Sequence, residues 1–111
     1  MNAKINILTK DIYSRIRDDH NINVVLFTAS WCDSCKMVYP VLQKLSQENL
    51  DKVSIYIVDI DNSQDLVDLF QVYSIPTIVI FKDNKIYRKE SGYRSLDMLH
   101  IYIDEIKQNT F

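Results

Sequence analysis

Apolar positions along this chain fall into two kinds of spacing, and the two kinds alternate. Residues 24–29 form a nearly continuous apolar run of strand length, the mark of a strand buried on both faces. Residues 53–60 predict a second strand of that kind. Between them Val38, Val41, Leu42 and Leu45 recur at helical spacing, which predicts a helix running to about Asn49. Upstream, a short strand at 5–8 precedes the stripe Ile12, Tyr13 and Ile16, a helix expected to end near residues 20–21. Downstream, Leu66, Leu69 and Phe70 predict a short helix. Residues 77–81 and 85–89, joined by Asp83-Asn84, predict an antiparallel hairpin, and Leu96, Leu99, Ile103 and Ile106 predict a closing amphipathic helix. The order β-α-β-α-β-α-β-β-α places the chain in the α/β class, with a mixed central β-sheet flanked by helices.

Composition narrows the function classes. The chain has 111 residues, 47% of them hydrophobic, enough for one core and hence one domain over residues 1–111. Thirteen basic against fifteen acidic side chains give a net charge of −2, with no Lys/Arg run to track a phosphate backbone, so nucleic acid is not an expected partner. No stretch approaches the roughly 20 apolar residues of a membrane span. The first twenty residues carry Asp11, Asp18 and Asp19 in an amphipathic pattern, which is not that of a secretion signal. A cytoplasmic protein is expected, and in that compartment paired thiols are usually catalytic.

Both cysteines lie in Ser-Trp-Cys-Asp-Ser-Cys-Lys-Met-Val-Tyr-Pro at residues 30–40. Random placement puts two cysteines three apart in only about 2% of cases, so the spacing argues for a purpose. Three readings compete: a redox couple, half of a zinc site, and two buried inert thiols. Zinc needs two further donors, and the chain offers only the isolated His20 and His100. No metal or other cofactor is expected. Buried thiols fit poorly with the polar neighbours Asp33, Ser34 and Lys36. In a sheet covered by helices the reactive groups lie just past the carboxyl ends of strands. Cys32 follows the buried strand and is expected to open the next helix, where unsatisfied N–H groups favour thiolate. A thiolate attacks disulfides, and a thiol three residues on can displace the product. Pro40, with no N–H to give to the Lys36 carbonyl, is expected to kink that helix and set the angle of both sulfurs.

With these motifs in place the sequence resembles thioredoxin over essentially its whole length. The resemblance rests on Trp31-Cys32-x-x-Cys35-Lys36-Met37, Pro40, Asp61, Ile75-Pro76-Thr77, Phe81-Lys82 and Gly92. It implies a dithiol oxidoreductase in which Cys32 attacks a substrate protein's disulfide and Cys35 resolves the mixed disulfide. The resulting Cys32–Cys35 disulfide is then recycled by a thioredoxin-reductase-type enzyme. It further implies a monomer, a cis peptide before Pro76, and a substrate face of Trp31, Ile75, Pro76, Gly92 and Tyr93 that receives a partner's backbone by strand-like pairing. Tyr93 stands where a small residue is common and is expected to narrow access to Cys32. Asp61 matches an acid that accepts the Trp31 indole N–H, a structural role.

Two departures from the family pattern bear on the chemistry. Asp33-Ser34 replaces the usual Gly-Pro between the cysteines, and Asp33, offset by Lys36, is expected to tune the thiolate of Cys32. Leu26 replaces the usual buried acid, and Ile57 replaces its lysine partner. Losing both members of a buried ion pair together is compatible with the fold. It leaves Cys35 without the usual base, so resolution is expected to be slow and to accelerate with pH. The alternative to catalysis is a binding module that holds partners on the Trp31, Ile75 and Tyr93 surface.

Overall fold

In the computed structural model of the chain, which describes residues 5–109, five strands form one mixed sheet in the order β1-β3-β2-β4-β5. The strands are β1 (Ile5–Ile7), β2 (Ile22–Thr28), β3 (Val53–Asp59), β4 (Thr77–Lys82) and β5 (Lys85–Ser91). Four α-helices cover the sheet: α1 (Lys10–Ile16), α2 (Tyr39–Gln47), α3 (Gln64–Phe70) and α4 (Leu96–Gln108). The first three strands run parallel, β4 pairs antiparallel to β2, and β5 pairs antiparallel to β4.

The pleat of the central strands sorts side chains into two cores. Ile22, Val24 and Leu26 join Val41, Leu42, Leu99 and Ile103 on the face covered by α2 and α4. Val25 and Phe27 join Leu66, Phe70 and Phe81 on the opposite face, with Ile12, Tyr13 and Ile16 of α1 packed against them. Because β2 is buried on both faces, it reads as a continuous apolar run rather than an alternating one. The hairpin turns at Asp83 and Asn84, whose φ values of 51° and 63° place both in the left-handed region that short-hairpin turns demand.

Helix α3 forms where expected, with Leu66 and Phe70, four apart, as its buried stripe and Leu69 exposed. Two expectations need correction. Helix α1 stops at Ile16, several residues early. The Asp19 side chain accepts from the Asn21 N–H, and His20 adopts φ 67°, so local side-chain bonding ends the helix there. The helix predicted as one piece from Cys32 through Pro40 is two: a short 3-10 helix at Ser34–Met37, then α2 from Tyr39. Pro40 lies in the first turn of α2, where a missing N–H leaves no hydrogen bond unmade.

Candidate active site

The carboxyl end of β2 delivers the chain to the cysteines. Ile60 N–H donates to the Thr28 carbonyl, tying the end of β2 to that of β3, and Cys32 N–H donates to the Ala29 carbonyl in a tight turn. The 3-10 helix then brings Cys35 back onto Cys32, and the two form a disulfide. Cys32 retains 7% of its surface and Cys35 3%, so the pair is sunk in the molecule with Cys32 the more accessible sulfur.

Hydrogen-bond donors converge on Cys32. Cys35 N–H donates to its sulfur at 3.3 Å, and the Ser34 hydroxyl lies 3.4 Å away. Both can stabilise negative charge on that sulfur when the disulfide is open. The helix dipole acts less directly than expected, because the α-helix proper begins only at Tyr39. Asp33 makes no capping bond; it turns outward, almost fully exposed, and accepts from Lys36 Nζ at 3.1 Å. Ser34 was not distinguishable as a sulfur ligand from its place in the motif, since only the 3-10 geometry turns its hydroxyl back on Cys32.

One rim of the site is largely apolar. Trp31 is 64% exposed, and its indole N–H donates to Asp61 Oδ2 at 2.8 Å. Ile75 packs against the cysteine cluster and is joined to Pro76 by a cis peptide bond. Gly92 N–H donates to the Pro76 carbonyl at 2.8 Å, and Gly92 adopts φ +87°, a conformation that explains why the single glycine of the chain stands here. Tyr93 is half-exposed beside it. Its loop is tied down by Arg94, which donates to the carbonyls of Ser91 and Tyr93, to the Tyr102 hydroxyl and to Glu90. Tyr73, absent from the residues singled out by sequence, lines a groove of about 270 Å³ together with Trp31, Val72 and Ile75.

A second cleft, of about 460 Å³, is lined by the cysteines themselves. Ile7, Tyr39, Pro40, Ile57, Thr28 and Asp59 line it with both cysteines. Leu26 is fully buried beneath it in the α2–α4 core and lies opposite Ile57 in the β2–β3 register, so the positions of the missing acid and its lysine are neighbouring and apolar. His20 and His100 are engaged elsewhere, with Asp83 and Glu48.

A buried cysteine pair thus follows a central strand beside a cis-proline loop, and the chain as a whole is similar to known proteins. The thioredoxin family model matches residues 4–105. The chain belongs to the thioredoxin family. Thioredoxin of Bacillus subtilis is 35% identical over 79 residues, covering 71% of this chain and 76% of the relative. Thioredoxin of Staphylococcus aureus is 30% identical over 103 residues, covering 93% and 97%. The crystal structure of Malassezia sympodialis thioredoxin superposes with a TM-score of 0.82 at 26% identity, over 94% of this chain and 91% of that one. Trypanosoma brucei brucei thioredoxin shares the fold with a TM-score of 0.83. With its cysteine pair joined in the fold, this thioredoxin-family chain is a thiol-disulfide oxidoreductase.

Proposed function

We propose that Cys32 is the attacking sulfur and Cys35 the resolving one, and that the chain works as a single unit over residues 1–111. The supporting observation is the asymmetry of the pair: Cys32 is the more exposed and collects the Cys35 N–H and the Ser34 hydroxyl, whereas Cys35 faces inward. In the reaction the Cys32 thiolate attacks one sulfur of a substrate disulfide, forming a mixed disulfide and releasing the other substrate sulfur as a thiolate, which takes a proton. Cys35, deprotonated, then attacks Cys32, and the bond to the substrate breaks. Two electrons leave the protein, and Cys32–Cys35 is the product.

Trp31, Ile75, Pro76, Gly92 and Tyr93 receive the substrate backbone in this reading, Asp61 steadies Trp31, Asp33 and Lys36 adjust the Cys32 thiolate, and Pro40 starts α2 behind the sulfurs. A thioredoxin-reductase-type enzyme returns the dithiol, so the protein carries electrons between that reductase and protein disulfides, as a monomer in the cytoplasm. Among the described residues no helix is long and apolar enough to cross a membrane.

The test uses paired variants. Cys35→Ser should form lasting mixed disulfides with disulfide-bonded proteins, and Cys32→Ser should form none and lose reductase activity. Trapping by Cys32→Ser in place of Cys35→Ser would reverse the roles, and an inactive wild type with unreactive thiols would leave a binding module instead. Equilibration of the wild-type couple with glutathione then places it among reductants or oxidants.

A further inference from the structure

The cleft behind the disulfide contains a carboxylate where the buried acid of β2 is missing. Strand β3 pairs with β2 in parallel register, Leu26 opposite Ile57 and Thr28 opposite Asp59. Alternate residues of a strand share a face, so Asp59 lies on the same face as Ile57, one pleat nearer the carboxyl ends where the sulfurs sit. The cleft walls bear this out: Ile57, Asp59, Thr28 and Cys35 line it together. Asp59 is held in a fixed orientation, with Oδ1 accepting from Asp61 N–H at 2.9 Å and Oδ2 from Asn62 Nδ2 at 3.2 Å. Each carboxylate oxygen can accept a second hydrogen bond.

We propose that Asp59 is the proton acceptor for Cys35, acting through water in this cleft; the assignment rests on Cys35 being the resolving thiol. The other groups facing the cleft cannot take that part. Lys36, from the 3-10 helix, is a donor held by Asp33, and Tyr39, from α2, presents a phenol, a far weaker base than a carboxylate. Asp61, two residues on, is engaged with Trp31. Space of about 460 Å³ accommodates a bridging water. In the step, the Cys35 thiol passes its proton through water to Asp59, the thiolate attacks Cys32, and the Cys32–substrate S–S bond breaks. The departing substrate thiolate is protonated from solvent, to which Asp59 returns the proton. The acid of the site has thus moved from the central strand to its neighbour, leaving an apolar β2 intact.

Asp59→Asn separates this role from a structural one, because an amide oxygen still accepts the Asp61 N–H and keeps the turn. The mixed disulfide of the full-length protein is formed with a small aromatic thiol, and its release is followed in single turnover against pH. Wild type should release at a rate independent of pH between about 6 and 8, since a carboxylate is already in place as acceptor. Asp59→Asn should be slower by about tenfold or more at pH 7 and climb nearly tenfold per pH unit toward the range of a free thiol. Its attack by Cys32 on the small disulfide and its thermal midpoint should match wild type. A release profile of Asp59→Asn that superimposes on that of wild type, or a wild-type rate that itself climbs across this range, overturns the proposal. Failure of Cys35→Ser to trap a mixed disulfide in parallel would instead remove the assignment of Cys35 on which it stands.

Discussion

Ser34 and Asp33 fill the two positions between the cysteines and bear on Cys32 in opposite senses. The Ser34 hydroxyl can donate to the Cys32 sulfur, so Ser34→Ala should raise the pH at which Cys32 becomes reactive, by up to about one unit for the loss of one hydrogen bond to a charged group. Asp33 adds a negative charge nearby, and Asp33→Asn should move reactivity to lower pH. Its effect should be the smaller of the two, because the carboxylate is solvated and paired with Lys36. Rates of alkylation of reduced protein against pH measure both, and an unchanged midpoint in either variant removes that residue from the account. Leu26 tests the core beneath. Leu26→Asp places a carboxylate among Val38, Leu42 and Ile78 and should cost several kcal/mol in denaturant melts near neutral pH, whereas adding Ile57→Lys on the facing strand should recover part of it. A double variant no more stable than the single one would mean that the two side chains do not meet.

Loop 92–95 connects β5 to α4 and carries Gly92 and Tyr93 to the rim of the site. Its position depends on Arg94 and on the chain of ion pairs Arg94–Glu90–Arg88–Glu105, which links β5 to α4. Burial pushes the Glu90 carboxyl up, but hydrogen bonds from Arg94 and Arg88 together outweigh it and hold the group below its ordinary value. The folded value is therefore lower than the unfolded one. The stability contributed by Glu90 is fully present above about pH 4.5 and is lost as pH falls through the folded value. Melts from neutral to acid pH should show Glu90→Gln less stable than wild type near pH 7, with the gap closing in acid; a constant gap would mean that the pairs carry no linkage. Arg94→Met should leave the turnover of small disulfides intact and raise KM for protein disulfides several-fold, since it frees the carbonyls of Ser91 and Tyr93 without touching the sulfurs. The element boundaries that sequence misplaced, at the end of α1 and around Pro40, are those set by side-chain bonding and a 3-10 turn, which leave no periodic trace.

The whole molecule is organised by β2, which supplies both cores and pairs with β3 on one side and β4 on the other. Opening either core exposes one face of the strand on whose other face the second core is built. Thermal unfolding should accordingly be one cooperative transition, with equal calorimetric and van't Hoff enthalpies and coincident far- and near-ultraviolet circular dichroism. Separated transitions would divide the chain. The same strand order explains the site. The carboxyl end of β2 brings the cysteines to the rim, antiparallel β4 begins beside it with Thr77, and β3 ends on the other side with Asp59, which shares a cleft with both cysteines.

The linear pattern was sufficient for element order, the two buried strands, the hairpin, the cysteine pair and the residues of the Trp31, Ile75, Pro76 and Gly92 rim. These are properties of spacing within one element or of short motifs, and periodicity and residue chemistry encode them directly. The turn of the Ser34 hydroxyl onto Cys32 depends on the 3-10 geometry, and the placement of Asp59 in one cleft with Cys35 depends on tertiary structure. Asp59 lies 24 positions from Cys35 in sequence and reaches its cleft because β3 is hydrogen-bonded to β2 in a particular register. A shift of one residue in that register would turn Asp59 to the opposite face, away from the sulfurs. That adjacency is set by how the strands pack, not by any pattern along the chain.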